Sequence, residues 1–184
     1  MLPTRKNWNR DKTAKCLMLL SAFAFGLLIP GRFSVTTTPS LVHRIYLVSR
    51  ISDAREIRKG SYVLFPMRMA YVSSGQVIDV MGVAVADQRR RHPETALTPA
   101  MKIARCLPGE HLTVSERLYY CNAEYLGRAK EYSLKGEKVE NFVYNGVVPS
   151  GKVFVMGEHK DSLDSRYFGF IEAGHVTAIG HPLY

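Results

Sequence analysis

The sequence predicts a mainly β domain, with antiparallel sheets, that follows one N-terminal transmembrane helix. Two observations support this prediction. Short apolar segments rich in β-branched and aromatic residues recur along most of the chain, and turn residues separate them, which is typical of strands. Near the N-terminus, residues 16–31 contain no charged side chain and follow a strongly basic segment, which is typical of a membrane anchor.

Composition excludes several classes of protein. The chain has 184 residues, of which 46% are hydrophobic, and its formal net charge is +9. This apolar content is too high for a disordered chain, and 14 glycines are too few for a collagen-like chain. Three cysteines are too few for a disulfide scaffold. The length therefore predicts one globular domain with a short additional segment.

The apolar stretch near the N-terminus predicts a membrane span. As a helix, residues 16–31 would cover about 24 Å, somewhat less than the ~30 Å hydrocarbon core of a bilayer. Lys15 and Arg32 can extend their charged ends outward, so a single span is feasible. A cleaved signal peptide has similar charges and a similar apolar length, and a buried core helix is also possible, so both stay open as alternatives.

The distribution of positive charge predicts the orientation of this span. Basic residues favour the cytoplasmic side of a membrane, so residues 1–15 are expected to form a basic cytoplasmic tail. Residues 16–33 would then form the transmembrane anchor. Residues 34–184 would form a β-rich domain on the opposite side of the membrane.

Eight later segments predict strands, because each is short, apolar and rich in β-branched or aromatic residues. Residues 77–85 are ambiguous, because their apolar positions fit one face of a helix whereas Gly82 and several valines weaken that interpretation. The predicted strands are Ile45–Val48, Ser61–Phe65, Lys102–Arg105, His111–Val114, Val139–Tyr144, Lys152–Met156, Tyr167–Ile171 and His175–Ile179.

The distribution of charge argues against a nucleic-acid partner. Outside the N-terminus the dense basic run is Arg89–Arg91, and no aromatic residues alternate with it as a base-stacking groove would require. The run is expected in a solvated loop, where it could also contact anionic lipid headgroups.

Two of the cysteines could form a disulfide. Cys106 and Cys121 would share an oxidising compartment if the β domain lies outside the cytoplasm, and a bridge would stabilise the fold by about 3 kcal/mol. Bridging also requires a short distance between the two Cα atoms, which the sequence does not show. The disulfide is therefore left open, and Cys16 falls within the predicted anchor.

Three segments contain candidate catalytic side chains, and each has an ordinary structural explanation when taken alone. A serine after a proline is common in turns, a lysine at the start of an apolar strand is often a solvated edge residue, and an aspartate–arginine pair can hold a hairpin. The segments are Thr36–Leu41, Met101–Glu110 and Gly157–Phe170.

In this order and spacing, the three segments resemble the type I signal peptidase family, whose serine–lysine peptidases cleave exported proteins beside the membrane. Asp164–Gly169, with the sequence Asp-Ser-Arg-Tyr-Phe-Gly, closely matches the last conserved box of that family. Lys102 followed by Leu107–Glu110 matches the box with the general-base lysine, and Thr38–Leu41 loosely fits the nucleophile box. The branch that the chain resembles most is that of the short TraF-type peptidases of conjugative plasmids.

The chain departs from the family pattern at several positions. Glu158 and His159 stand where the family usually has aspartate and asparagine after a glycine. Ile103 replaces the arginine of a Lys-Arg pair, and Cys106 replaces the glycine before Leu-Pro-Gly. Of these differences, those at Glu158 and His159 bear on the shape of the loop near the active site.

The resemblance implies a Ser–Lys mechanism, with Ser40 as the nucleophile and Lys102 as the general base. A general base must be neutral, whereas an ordinary lysine with a pKa of about 10.4 is almost fully protonated at neutral pH. An apolar, desolvated site that lowers the pKa of Lys102 to about 8 would leave roughly a tenth of it neutral. The amine could then take the proton of Ser40.

Four residues would support this pair, according to the resemblance. The Thr38 hydroxyl and the backbone N–H of the nucleophile would form the oxyanion hole, and Ser162 would orient the lysine. Asp164 and Arg166 would pair and hold the loop that carries Ser162. No cofactor is implied, and no metal site is predicted because the six histidines are scattered along the chain.

The resemblance implies a peptidase of the bacterial inner membrane, with its catalytic domain in the periplasm, that processes a conjugative pilin or a related exported precursor. In the TraF-type branch the amine of the pilin itself can attack the acyl-enzyme and close a ring, and the sequence leaves hydrolysis and cyclisation open. Expected partners are the precursor peptide, membrane lipid and other conjugative transfer components. A general signal peptidase and a non-catalytic anchored scaffold of an export apparatus stay open as alternatives.

Overall fold

The computed structural model divides the chain into two units, residues 1–33 and residues 34–184. Predictions that concern Thr38, the basic run Arg89–Arg91 and residues 81–85 lie outside the described residues. The structure describes residues 5–28, 32–37, 40–72, 75–80, 98–134 and 136–183.

Strands account for most of the secondary structure in the described part of the chain. The elements are, in chain order, α1 (Arg5–Leu28), β1 (Phe33–Val35), β2 (Ile45–Arg50), β3 (Tyr62–Val72), β4 (Gly75–Val80), β5 (Thr98–Cys106), β6 (His111–Ser115), β7 (Leu118–Cys121), β8 (Glu124–Arg128), β9 (Gly146–Val147), β10 (Lys152–Met156), α2 (Ser165–Phe168), β11 (Ile171–Glu172) and β12 (Ala178–Pro182).

Helix α1 occupies most of the first unit. Large apolar side chains of this helix, among them Leu17 and Phe23, are exposed. Within the described residues, no helix combines the length and the apolar character that a membrane crossing requires. The transmembrane anchor over residues 16–33 therefore stays a prediction.

The strands within the described residues form two sheets, which agrees with the predicted mainly β fold. The larger sheet has the order β1-β2-β12-β3-β5-β10-β11, with β4 paired to β3. The smaller sheet has the order β8-β7-β6-β9. Strand β12, the last of these strands along the chain, lies between β2 and β3 and so connects them within the larger sheet. The strand after the Ser40 segment and the strand that carries Lys102 consequently belong to one sheet.

Strand β10 is buried on both faces, which explains its continuous apolar sequence. Val153 and Val155 point into one hydrophobic cluster with residues of β3 and β11. Phe154 and Met156 alternate with them and point into a second cluster. In that cluster the ring of Phe154 stacks on Tyr119 of the smaller sheet, with 5.5 Å between the ring centroids. One face of this strand of the larger sheet thus packs against the smaller sheet.

A disulfide joins the two sheets. Cys106 at the end of β5 is bonded to Cys121 at the end of β7, with 5.7 Å between their Cα atoms, and both residues are fully buried. The bridge closes a loop with a sequence separation of 15 residues, for which about 3 kcal/mol of stabilisation is expected. The pairing that the sequence left open is present in the structure.

Most of the strands predicted from periodicity are confirmed, but the segment Val139–Tyr144 is not a strand. Its backbone groups bond to α2, to the loop after β8 and to side chains, and they form no strand ladder. Phe142 N donates to Arg166 O at 2.8 Å, and the Tyr119 hydroxyl donates to Phe142 O at 2.6 Å. The aromatic residues Phe142 and Tyr144 of this segment therefore pack, partly buried, against the core without a ladder of strand hydrogen bonds.

Two other predicted strands are wrong in part. Over Tyr167–Ile171 the chain first completes the helical turn α2 and forms a strand only at β11. The carboxylate of Asp164 caps this turn by accepting a hydrogen bond from Arg166 N, as aspartate commonly does at a helix N-terminus. The segment His175–Ile179 begins in a 3₁₀ turn, and β12 starts only after it.

Strands β7 and β8 were missed, because the turns beside them contain no glycine. Glu116 and Arg117 connect β6 to β7 with φ angles of 48° and 68°, and Asn122 and Ala123 connect β7 to β8 with 48° and 66°. Tight hairpins with positive φ usually contain glycine, so these turns carry little sequence signal. Residues 77–80 belong to β4, so the helical interpretation of that part of the chain is wrong.

Candidate active site

The candidate general base lies in strand β5, between β3 and β10. Lys102 is only 5% exposed, and its neighbours Met101 and Ile103 are buried as well. In the strand register Lys102 lies opposite Val63 of β3. Its Nζ donates a hydrogen bond to Ser162 Oγ at 2.9 Å. The lysine is thus buried, and its amine is hydrogen-bonded to the Ser162 hydroxyl.

Burial lowers the pKa of the Lys102 amine to about 8, because desolvation penalises its charged form. The attraction of Asp164 opposes this effect, and repulsion from Arg166 adds to it. About a tenth of a lysine with such a pKa is neutral at pH 7, compared with roughly three in ten thousand for an ordinary lysine. The site therefore supplies a population of free amine that can accept a proton.

A buried ion pair holds the loop that carries Ser162. Asp164 is fully buried and Arg166 is 4% exposed. Arg166 Nε donates to Asp164 Oδ1 and Arg166 Nη2 donates to Asp164 Oδ2, both at 2.8 Å. The guanidinium also donates to the carbonyl oxygens of Ser162, at 3.3 Å, and of Arg128, at 2.8 Å. A bidentate pair of this kind is strong and directional, so it fixes the backbone next to Ser162.

The turn α2 is attached to the end of β10 by side chains of its own first residues. Asp164 Oδ2 accepts a hydrogen bond from Gly157 N at 2.9 Å. The Ser165 hydroxyl accepts one from Val155 N at 2.9 Å. Both bonds are buried, and together they hold the loop between β10 and α2 against the sheet that contains Lys102.

The candidate nucleophile lies in a turn just before β2. Ser40 is half-buried, and its carbonyl oxygen accepts hydrogen bonds from Glu158 N at 2.9 Å and from His159 N at 3.2 Å. Ser40, Lys102 and Ser162 line one cavity. Thr38, the expected oxyanion donor, lies outside the described residues.

This cavity has a volume of about 620 Å³ and combines apolar walls with a few polar groups. The apolar walls reduce the solvation of the amine and strengthen electrostatic interactions inside. The structure thus brings Ser40, Lys102 and Ser162 to one surface, with Asp164 and Arg166 behind Ser162. The catalytic roles of these five residues stay predictions.

The apolar walls of the cavity include Leu41, Leu64, Met67, Met101 and Leu134.

An ion pair beside the cavity was not a candidate from the sequence. Asp161 lines the cavity and pairs with Lys130, which comes from the loop after β8. The hydrogen bond from Lys130 holds the pKa of the Asp161 carboxyl below its usual value. Asp161 N also donates to His159 Nδ1 at 3.2 Å. Lys130 belongs to no motif, so no signal in the sequence connected it with this loop.

Gly157 begins one of the candidate segments, but the sequence analysis gave it no role. A Cβ atom at this position would lie 2.1 Å from Ser162 Oγ and 2.7 Å from Ser40 O. Only glycine allows the two segments to approach this closely. A glycine directly after a buried strand was the available signal.

One group of potential metal ligands was found among the described residues. It consists of Cys106, Glu110 and Cys121. The two sulfur atoms are joined in the disulfide, so they are not available as thiolate ligands.

No curated protein matches this chain. Among solved structures it is similar to a signal peptidase I from Enterococcus faecalis, with 20% sequence identity and a TM-score of 0.37 over 71% of this chain and 98% of that chain. The family model described as "Signal peptidase, peptidase S26" matches residues 16–181. Since this match covers most of the sequence, the chain belongs to the S26 family of signal peptidases.

Proposed function

We propose that this chain is a membrane-anchored Ser–Lys peptidase that processes a conjugative pilin, or a related exported precursor, through an acyl-enzyme. The observation that carries the proposal is the buried amine of Lys102, with a pKa of about 8, on the cavity that Ser40 also lines. The S26 signal peptidase family acts on exported precursor peptides, which supports the class of substrate. Pilin is proposed from the resemblance to the TraF-type branch.

The first half of the reaction forms an ester on Ser40. The neutral amine of Lys102 takes the proton of Ser40 Oγ while this oxygen attacks the carbonyl carbon of the peptide bond. The resulting oxyanion would accept hydrogen bonds from Ser40 N–H and the Thr38 hydroxyl, roughly 3 kcal/mol each. The C–N bond then breaks, and Lys102 passes the proton that it took from Ser40 to the nitrogen of the leaving amine. Ser162 keeps the lysine amine oriented throughout.

The second half of the reaction releases the acyl group from Ser40. Lys102 removes a proton from the group that attacks the acyl carbon, which is either water, giving a hydrolysed product, or an amine at the N-terminus of the same peptide, giving a ring. The ester C–O bond then breaks, and Ser40 Oγ takes the proton from Lys102. An intramolecular amine can compete with abundant water because well-aligned groups reach very high effective molarities. The proposal includes both products.

The proposal places residues 1–15 in the cytoplasm, residues 16–33 in the bacterial inner membrane and residues 34–184 in the periplasm. It is supported by the charge-free segment after a basic one, and by the disulfide between Cys106 and Cys121, since disulfides persist in oxidising compartments. Membrane lipid and other conjugative transfer components would be its neighbours there. Fractionation should recover the full chain in membranes washed with alkaline carbonate, and recovery in the soluble fraction would contradict the anchor.

The peptidase proposal is tested by the variants Ser40→Ala and Lys102→Ala. Each should reduce pilin processing by about a thousandfold or more, because either change removes the nucleophile or its base. Precursor and product are separated by gel electrophoresis. The matched controls are Ser49→Ala and Lys138→Ala, which remove the same side chains from exposed positions and should leave processing unchanged.

The outcome of the same experiment separates the alternatives. Continued processing by both catalytic variants would contradict the proposal and favour a non-catalytic scaffold. Accumulation of many unrelated exported precursors would favour a general signal peptidase. Mass spectrometry of the mature pilin distinguishes the two products, because ring closure lowers the mass by one water relative to the trimmed linear peptide.

A further inference from the structure

Hydrogen bonds connect the turn that contains Ser40 with the loop after β10. Two of them converge on one atom, since Glu158 N and His159 N both donate to Ser40 O. A third contact lies two residues further along the turn, where Val42 N donates to the Glu158 carboxylate at 2.7 Å. Glu158 is therefore bonded to this turn through its backbone and through its side chain.

The bond to Val42 supplies a restraint that the bonds to Ser40 O cannot supply. A segment held at a single oxygen atom can pivot about that atom, whereas a second attachment two residues away fixes its rotation. Leu41 is buried, and the Tyr46 hydroxyl donates to His43 O at 3.0 Å. Between these two restrained residues, the side chain of Val42 is 74% exposed, so the bond at Val42 N is what holds the backbone at this residue. A hydrogen bond from a backbone N–H to a carboxylate is also stronger than one to a neutral acceptor.

The carboxylate of Glu158 also contacts the sheet that carries Lys102. Its second oxygen accepts a hydrogen bond from the Tyr62 hydroxyl at 3.4 Å. Tyr62 lies opposite Ile103 in the register of β3 and β5, and its ring packs on Tyr46, with 5.1 Å between centroids. Desolvation and the charge of Glu158 raise the pKa of Tyr62, so this hydroxyl stays a donor at neutral pH.

From these contacts we infer that Glu158 is a positioning residue, which fixes the direction of Ser40 relative to Lys102. Its carboxylate connects the turn before β2 to the strand next to that of the lysine, and its effect on Ser40 passes through Val42 N. The inference rests on the proposed Ser–Lys peptidase function. Without this attachment the backbone between Ser40 and His43 would lose its bond at Val42 N and could shift, and a displacement of about 1 Å at a reacting group can reduce the rate about a hundredfold.

The experiment measures kcat and KM of the full chain in detergent micelles, with a fluorogenic peptide that has alanine before the cleaved bond. Glu158→Ala should lower kcat about 10- to 100-fold and leave KM within about twofold, because binding does not depend on the direction of the nucleophile. Glu158→Gln keeps an acceptor oxygen and should restore kcat to within about fivefold of the original chain.

The matched control is Glu172→Ala. Glu172 forms an ion pair with Lys152 on β10 and β11, so this variant also removes a paired carboxylate from the large sheet. Its kcat should stay within about twofold of the original value, since it has no bond to the Ser40 turn in the structure. If Glu158→Ala has a lower Tm than Glu172→Ala, Glu158→Met is measured instead. Methionine keeps the length of the glutamate side chain but has no oxygen that could accept the bond from Val42 N.

A kcat within twofold of the original chain in both Glu158→Ala and Glu158→Met would overturn the inference. So would a Glu158→Gln variant as slow as Glu158→Ala, or a change confined to KM. These results are distinct from failure of the proposed function, which would appear as full activity in Ser40→Ala and Lys102→Ala. Loss of activity in those two variants, together with normal kcat in Glu158→Ala, would reject only the positioning role.

Discussion

Replacing Lys102 with methionine should abolish activity and yet stabilise the fold. The substitution puts an unbranched apolar side chain into a site that is 5% exposed. Burial lowers the pKa of the lysine from 10.5 to about 8, so the protonated amine destabilises the folded state by about 3 kcal/mol at pH 7. Loss of the hydrogen bond to Ser162 offsets about 1 kcal/mol of the gain. A net stabilisation of about 2 kcal/mol should raise Tm by about 4–8 °C.

The effect of the Lys102→Met substitution should depend on pH in a defined direction. Between pH 8 and pH 10.5 the unfolded chain binds the proton of Lys102 more tightly than the folded chain does, so the stability of the original protein rises with pH. The advantage of methionine is therefore complete below pH 8 and declines as the pH rises through 10.5. Thermal unfolding of both chains, followed by circular dichroism from pH 6 to pH 11, measures this difference.

The exposed residue Lys138 offers a matched control. Lys138→Met should change Tm little, and the change should be the same across this pH range. A Lys102→Met chain that is less stable than the original at pH 7 would refute the reasoning. A stability difference that does not change between pH 7 and pH 11 would refute it as well, because either result would mean that the amine is not desolvated.

Three further predictions follow from the packing around the site. Asp164→Asn should lower the free energy of unfolding in urea by about 3–5 kcal/mol, because it leaves Arg166 buried without its counter-charge; a loss below 1 kcal/mol would contradict this. Reduction of the Cys106–Cys121 bond by dithiothreitol should lower the same free energy by about 3 kcal/mol, and an unchanged urea midpoint would argue against the bridge. Gly157→Ala should reduce peptide cleavage at least about tenfold, because its Cβ would overlap both neighbouring segments; normal cleavage would show that the loop can move aside.

Periodicity located strands well where burial is regular and poorly where turns are unusual. Lys152–Met156 was predicted with the bounds that the structure shows. Both faces of this strand are buried, which gives a continuous apolar sequence, and turn residues precede it. Strands β7 and β8 were missed, since Asn122 and Ala123 adopt positive φ angles without glycine. The segment Val139–Tyr144 has the composition of a strand, but its partners are side chains and loop atoms that no local pattern reveals.

The candidate site was predicted through its motifs and not through its contacts. The resemblance to signal peptidases implied that Ser162 orients Lys102, and the structure places a hydrogen bond between these residues, which are 60 positions apart. No motif connects Glu158 with Val42, 116 positions away. A single sequence does not show which two loops face each other, so contacts of this kind require the fold.

The central claim is that Lys102 loses its proton close to neutral pH and can therefore act as a base for Ser40. The most direct test is the pH dependence of kcat/KM for peptide cleavage by the full chain between pH 6 and pH 11. The account predicts a tenfold rise per pH unit below about pH 8 and a plateau above it. A rate that continues to rise until about pH 10.5, as for an ordinary lysine, would contradict it.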